Sequence, residues 1–237
     1  MDVVNIFAFF LTVFVQYIKI LKRVGIKESL FILFQSRPVQ ISQVKSVLLQ
    51  EKAPSLQINE FIPNCHYQHL RLSNGAKKLL TTENAGGNSI ISESMSFEVL
   101  KRLFGAKLIA TEMEIEYKIP NVPITDYIIQ VEETKIGVSV TRSMKWPSTS
   151  KYTNLDAHKL LKRKLSGVIK SNTNLKKPYF EKQILHIWSP SASVTEILSQ
   201  VWQNEINDDL KSNTFVLITT AEKNADWIFW NIYQKKN

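Results

Sequence analysis

The sequence predicts an α/β (α+β) fold, a mixed central sheet with helices on its faces. Three observations lead there. In "AKLIATEMEIEYKIP" residue types alternate, Met113, Ile115 and Tyr117 against Glu112, Glu114 and Glu116, as in a half-buried strand with one wet face. Only "ETK" separates "ITDYIIQVE" from "KIGVSVTRSM", a connection too short for a parallel crossover. Beyond them, strand-like apolar runs alternate with segments of helical period, as in strands joined by helices.

Taken in order, residues 1–34 form the most apolar stretch and predict a hydrophobic or amphipathic helix. The polar positions Asn5, Thr12, Gln16, Lys19, Arg23 and Lys27 fall on one helical stripe. A helix lying on a membrane surface or packed on a domain needs such a stripe, whereas a lipid-facing span does not. If the segment spans, the basic residues at its C-terminal end put the rest of the chain in the cytoplasm. The "MD" start, with no basic residues and no small-residue cleavage site, argues against a secretory signal.

Residues 35–85 read as a connector with short elements. Within it "CHYQH", Cys65 to His69, lacks the further ligands that zinc normally takes and reads as ordinary loop. Residues 86–237 form the main domain. "NSIISESMSFEVLKRLFG" is a helix capped by Asn88 or Ser89 and stopped by Gly105. Three strands follow as an antiparallel meander, then "NLDAHKLLKRKLSGVIKSN", a long helix capped by Asn154 or Asp156. "EKQILHIWS" is a fourth strand, "SVTEILSQVWQNEINDDLK" a helix, "NTFVLITTA" a fifth strand and "EKNADWIFWNIYQKK" a closing helix. The order is an αβββαβ core with a C-terminal αβα extension. Trp227, Trp230 and Tyr233 share a helical face and read as core.

The chain has 30 basic and 21 acidic residues, a net charge of +9 that favours anionic partners. The excess is concentrated between Lys151 and Lys182, with nine basic residues against Asp156 and Glu181. Lys159, Lys162, Arg163, Lys164 and Lys170 on the long helix are candidate nucleic-acid contacts, to be weighed against an ordinary solvated face. A single cysteine excludes an internal disulfide framework and suits a reducing, cytoplasmic or nuclear, location. A Ser/His/Asp hydrolase lacks support, since G-x-S-x-G is absent and His186 sits in an apolar strand.

The element order, with Asp126 opening the second strand in "PITDY", resembles the PD-(D/E)XK nuclease superfamily, the restriction-endonuclease-like fold. The resemblance covers roughly residues 86–189. It implies a phosphodiesterase site in which carboxylates hold Mg²⁺ and a lysine steadies charge on the phosphoryl oxygens. On this pattern Asp126 is the first carboxylate, and Glu93 or Glu98 on the first helix supplies another metal ligand. The third strand should carry an acid and a lysine. Alternation instead puts Gly137, Ser139 and Thr141 on one face, with Arg142 on the other as the nearest cation. A hydroxyl is a poorer Mg²⁺ ligand than a carboxylate, so the expectation is a nuclease fold that binds nucleic acid, with an altered or degraded site. The alternative is a non-catalytic, membrane-associated interaction protein attached through residues 1–34.

Overall fold

The computed structural model describes residues 38–50, 53–84, 88–145, 150–221 and 224–229. The expectations for residues 1–34, and those for Trp230 and Tyr233, lie outside them. No helix among the described residues is long and apolar enough to cross a membrane.

The chain runs through α1 (Pro38–Gln50), β1 (Ser55–Phe61), α2 (Asn74–Thr81), α3 (Ile90–Phe104), β2 (Lys107–Thr111), β3 (Tyr127–Val131) and β4 (Thr134–Arg142). It continues through α4 (Asn154–Thr173), β5 (Lys182–Ser189), α5 (Ala192–Asn204), α6 (Asp208–Lys211) and β6 (Thr214–Ala221). The six strands form one mixed sheet in the order β1-β6-β5-β4-β3-β2. β2, β3 and β4 make the antiparallel meander, and β4, β5, β6 and β1 run parallel to one another.

Two helical layers sandwich this sheet, and alternation along the central strands sorts their side chains. On one face Val138, Ile184, Trp188 and Leu217 pack with Met95 and Leu100 of α3 and Leu48 of α1. On the other, Leu185, Ile187, Val216 and Ile218 pack with Leu161 and Leu165 of α4 and Leu198 of α5. Every residue of β5 and β6 is buried, which explains why these strands read as nearly unbroken apolar runs.

Local chemistry accounts for where the structure departs from expectation. The strand expected over "AKLIATEMEIEYKIP" ends at Thr111. There the Glu114 carboxylate accepts the Thr111 N–H at 2.8 Å and its hydroxyl at 3.2 Å, and the chain enters a 3₁₀ turn, Glu112–Glu114. The alternation beyond Thr111 is therefore no strand signal, and Glu112 is buried rather than wet. Thr153, not Asn154 or Asp156, caps α4, while Asp156 returns a bond to the Thr153 N–H. The helix expected through "NDDLK" breaks before α6, whose own cap is Asn207. Among the described residues the closing helix is represented by one 3₁₀ turn, Asp226–Ile228. The segment read as connector supplies α1, α2 and the edge strand β1, paired in parallel with β6.

Candidate functional site

β4 runs on past the start of β3, because Tyr127, the first residue of β3, pairs with Val138 while β4 continues to Arg142. The opening left beyond β3 is reached from both helical layers. Asp126 stands at its edge. Its N–H donates to the Val138 carbonyl at 3.0 Å, and its Oδ2 accepts the Val140 N–H. These two bonds fix the carboxylate against β4, on the strand face shared with Ser139.

A cleft of about 630 Å³ fills the opening. Asp126, Ser139, Thr141 and Arg142 line it from the sheet, and Ser89, Ser92 and Glu93 from the first turn of α3. Arg163, Lys164, Gly167 and Val168 close it from α4, and Glu112 reaches it from the 3₁₀ turn. Glu93 is only 3% exposed and accepts from Asn84 Nδ2 at 3.2 and 3.3 Å.

Burial governs the electrostatics. Desolvation pushes Asp126 well above the usual carboxylate range, and the neighbouring Glu93 charge pushes it further, with Glu112 adding to this. The Val140 N–H and Lys164 oppose the shift. Glu93 is raised too, first by burial, against bonds from Ser89 and Asn84 and the charges of Arg142 and Lys164. Burial lowers Arg142, and Glu93 holds its proton in place. Three carboxylates and the cations Arg142, Lys164 and Arg163 therefore share one partly dry space. Among the described residues no group of three or more His, Cys, Asp or Glu side chains is gathered to hold a metal ion by itself.

The structure brings together Asp126, Glu93, Ser139, Thr141 and Arg142, but not Glu98. Five residues beyond Glu93, Glu98 points about 140° away around α3. It accepts the Ser73 N–H at 2.9 Å, at the start of α2, and pairs with Arg102 Nη2 at 2.7 Å. Its role is to tie α2 to α3. Of the basic residues, Lys164 and Arg163 line the cleft and Lys159 lines an adjoining hollow. Lys162 and Lys170 are exposed and line neither space.

Glu112 and Gly167 belong to the cleft although sequence reasoning gave neither a settled place there. A glycine inside a long helix was a signal, because it costs helix stability and needs a local reason. A Cβ at Gly167 would lie 3.5 Å from Pro123 in the loop before Asp126, an ordinary contact, so the loop packs on α4 here without requiring glycine. Glu112, Glu114 and Glu116 could together have pointed one carboxylate toward Asp126, but their alternation favoured a solvated strand face and did not single out Glu112.

His186 is structural. It is fully buried, with Nδ1 2.6 Å from Ser96 Oγ and Nε2 2.7 Å from Thr219 Oγ1. Desolvation lowers its pKa to about 3, so the ring is neutral. Thr219 gives its single proton to Asn59 Oδ1 at 2.6 Å and therefore accepts Nε2–H. Nδ1 then accepts from Ser96, which in turn accepts from Tyr127 at 2.6 Å. Of the "CHYQH" residues, His66 stacks at an angle on Tyr67 and Trp227.

No family model and no solved structure matches the chain. Among curated proteins it is 41% identical over 164 residues to the AAC-rich mRNA clone AAC4 protein of Dictyostelium discoideum. The match takes in 67% of this chain and 24% of that protein, so the chain spans about a quarter of its relative's length.

Proposed function

We propose that the chain is a divergent member of the PD-(D/E)XK nuclease-like group that binds nucleic acid and hydrolyses its phosphodiester bonds through a rearranged Mg²⁺ site. The observation that carries this reading is the cleft in which half-buried Asp126 and buried Glu93 stand with Lys164 and Arg142. The order α3-β2-β3-β4-α4-β5, with β4 and β5 parallel, supports it at the level of fold.

Asp126 and Glu93 are hard oxygen donors, and two carboxylates suffice for Mg²⁺ when water and substrate phosphate complete its shell. Both are raised by burial, the electrostatic setting that a divalent cation offsets. When bound, the ion acidifies water and polarises the phosphoryl group. The chain's own residues do the rest. The Val140 N–H orients Asp126, and Asn84 steadies Glu93. Ser139 and Thr141 occupy the places where the resemblance expects an acid and a lysine, and Lys164 supplies the cation from α4 instead. Lys164 and Arg142 draw the phosphate in and stabilise the charge that grows on its oxygens.

The test is digestion of single-stranded and duplex DNA and RNA with Mg²⁺ or Mn²⁺. Asp126→Asn and Glu93→Gln should abolish cleavage, and Lys164→Ala should lower the rate by roughly 100-fold. Lys162→Ala should leave the rate unchanged. Mg²⁺ should also raise the melting temperature of the wild type but not of Asp126→Asn. Absence of metal-dependent cleavage in the wild type would overturn the hydrolytic half of the reading. Absence of salt-sensitive nucleic-acid binding would overturn the rest.

A further inference from the structure

A second hollow of about 220 Å³ adjoins the cleft. Met144, Lys145, Tyr152, Lys159, Leu160 and Arg163 line it, and Met144 and Arg163 line the cleft as well. The two spaces are thus neighbours with a common wall. Lys159 and Arg163 are four residues apart on α4 and share a face, whereas Lys164 turns toward the cleft.

The charge of the hollow is positive in effect. Its acid, Asp156, is committed through one oxygen to Lys145 Nζ at 2.9 Å, Thr153 N at 3.0 Å and Thr153 Oγ1 at 2.7 Å. Those bonds hold its carboxyl below the usual range and keep it ionised, and Lys145 is the cation that balances it, which leaves Lys159 and Arg163 as the excess charge. The rest of the lining is apolar or aromatic. Met144 is 41% exposed, and Leu160 and Tyr152 are half-buried. The Tyr152 hydroxyl is buried and has no hydrogen-bond partner among the described residues, a donor without a built-in acceptor.

From this combination we infer that the hollow is a subsite for the nucleotide next to the phosphate held in the cleft, and that the bound strand is single. The inference rests on the nucleic-acid reading above and specifies its substrate class. Arg163 and Lys159 take the neighbouring phosphate, and Tyr152 with Met144 and Leu160 takes the face of one base. A duplex keeps its base faces inside the stack and cannot offer one to a side chain, whereas an unpaired strand can. Proximity of the two spaces supplies register, because a phosphate placed at Lys164 puts the next residue of the strand beside Arg163.

Fluorescence anisotropy with labelled dT12 and with the matching dT12·dA12 duplex tests it, in the full chain and without divalent metal. The expected result is dT12 bound at least about tenfold more tightly than the duplex, with Tyr152→Ala weakening dT12 roughly tenfold. Lys159→Ala should weaken dT12 and reduce the salt slope of its binding by about 0.7, with Lys162→Ala as the silent control. Circular dichroism confirms that each variant folds, and Lys159→Ala, on an exposed helix position, gives a readout even if Tyr152→Ala does not fold. If neither probe binds, the nucleic-acid reading itself falls and takes the inference with it. If both bind equally, or if dT12 binding ignores Tyr152 and Lys159, the subsite is overturned while that reading stands.

Discussion

Burial disfavours the charged forms of Glu93 and Asp126. The cost is a stability term with a definite sign. Because the folded pKa of Asp126 is raised, the folded chain holds its proton more firmly than the unfolded chain. The stability that this proton confers is fully present below the unfolded value of 3.8 and is lost as pH rises through the folded one. Asp126→Asn keeps an oxygen for the Val140 N–H and removes the charge, so it should stabilise the metal-free protein. In EDTA at pH 7.5 its melting temperature should exceed the wild type's by about 2–6 °C. The gain should shrink as pH falls toward 3.8, and thermal melts across that range check it. Asp126 was legible in the sequence as an acid opening a strand. Choosing Glu93 over Glu98 was not, because that choice depends on which face of α3 meets the opening and on an Arg102 that already holds Glu98.

At the scale of elements, the segment before β5 explains why β4 carries glycine at position 137. A Cβ at Gly137 would come within 2.6 Å of the Phe180 ring, so the strand passes Phe180 only as glycine. Gly137→Ala should cost about 1–3 kcal/mol in urea unfolding, and Phe180→Leu in the same chain should recover part of it. If the double variant is no better than Gly137→Ala alone, the clash is not the cause. The element order was largely legible, because amphipathic periods and short turns are local signals. Three departures share one origin, side-chain bonds to nearby backbone. Thr111 with Glu114 ends β2, Thr153 with Asp156 starts α4, and Asn207 starts α6.

Across the whole molecule, the hydrogen-bonded path Tyr127–Ser96–His186–Thr219–Asn59 joins β3, α3, β5, β6 and β1. Thr219→Val would leave His186 Nε2–H and Asn59 Oδ1 unpaired in the interior. Equilibrium unfolding should then show a loss of about 2–4 kcal/mol, with one cooperative transition retained. That path was not legible in the sequence. Its members come from five elements, and each alone is an ordinary polar residue in an apolar run. The place of β1 was hidden for the same reason, since its hydrogen-bonding partner is distant in the chain.

That distance has a consequence in time. Each residue of β1 pairs with one 160 positions later, in the last strand of the sheet. At roughly 5–20 residues per second of synthesis, β1 waits about 10–30 s after it is made before its partner exists. The meander β2-β3-β4 closes on itself within that interval, whereas β1 remains an open template for any other extended chain. In a growing polypeptide, therefore, the candidate site's own strands are assembled early and the sheet's far edge is finished last.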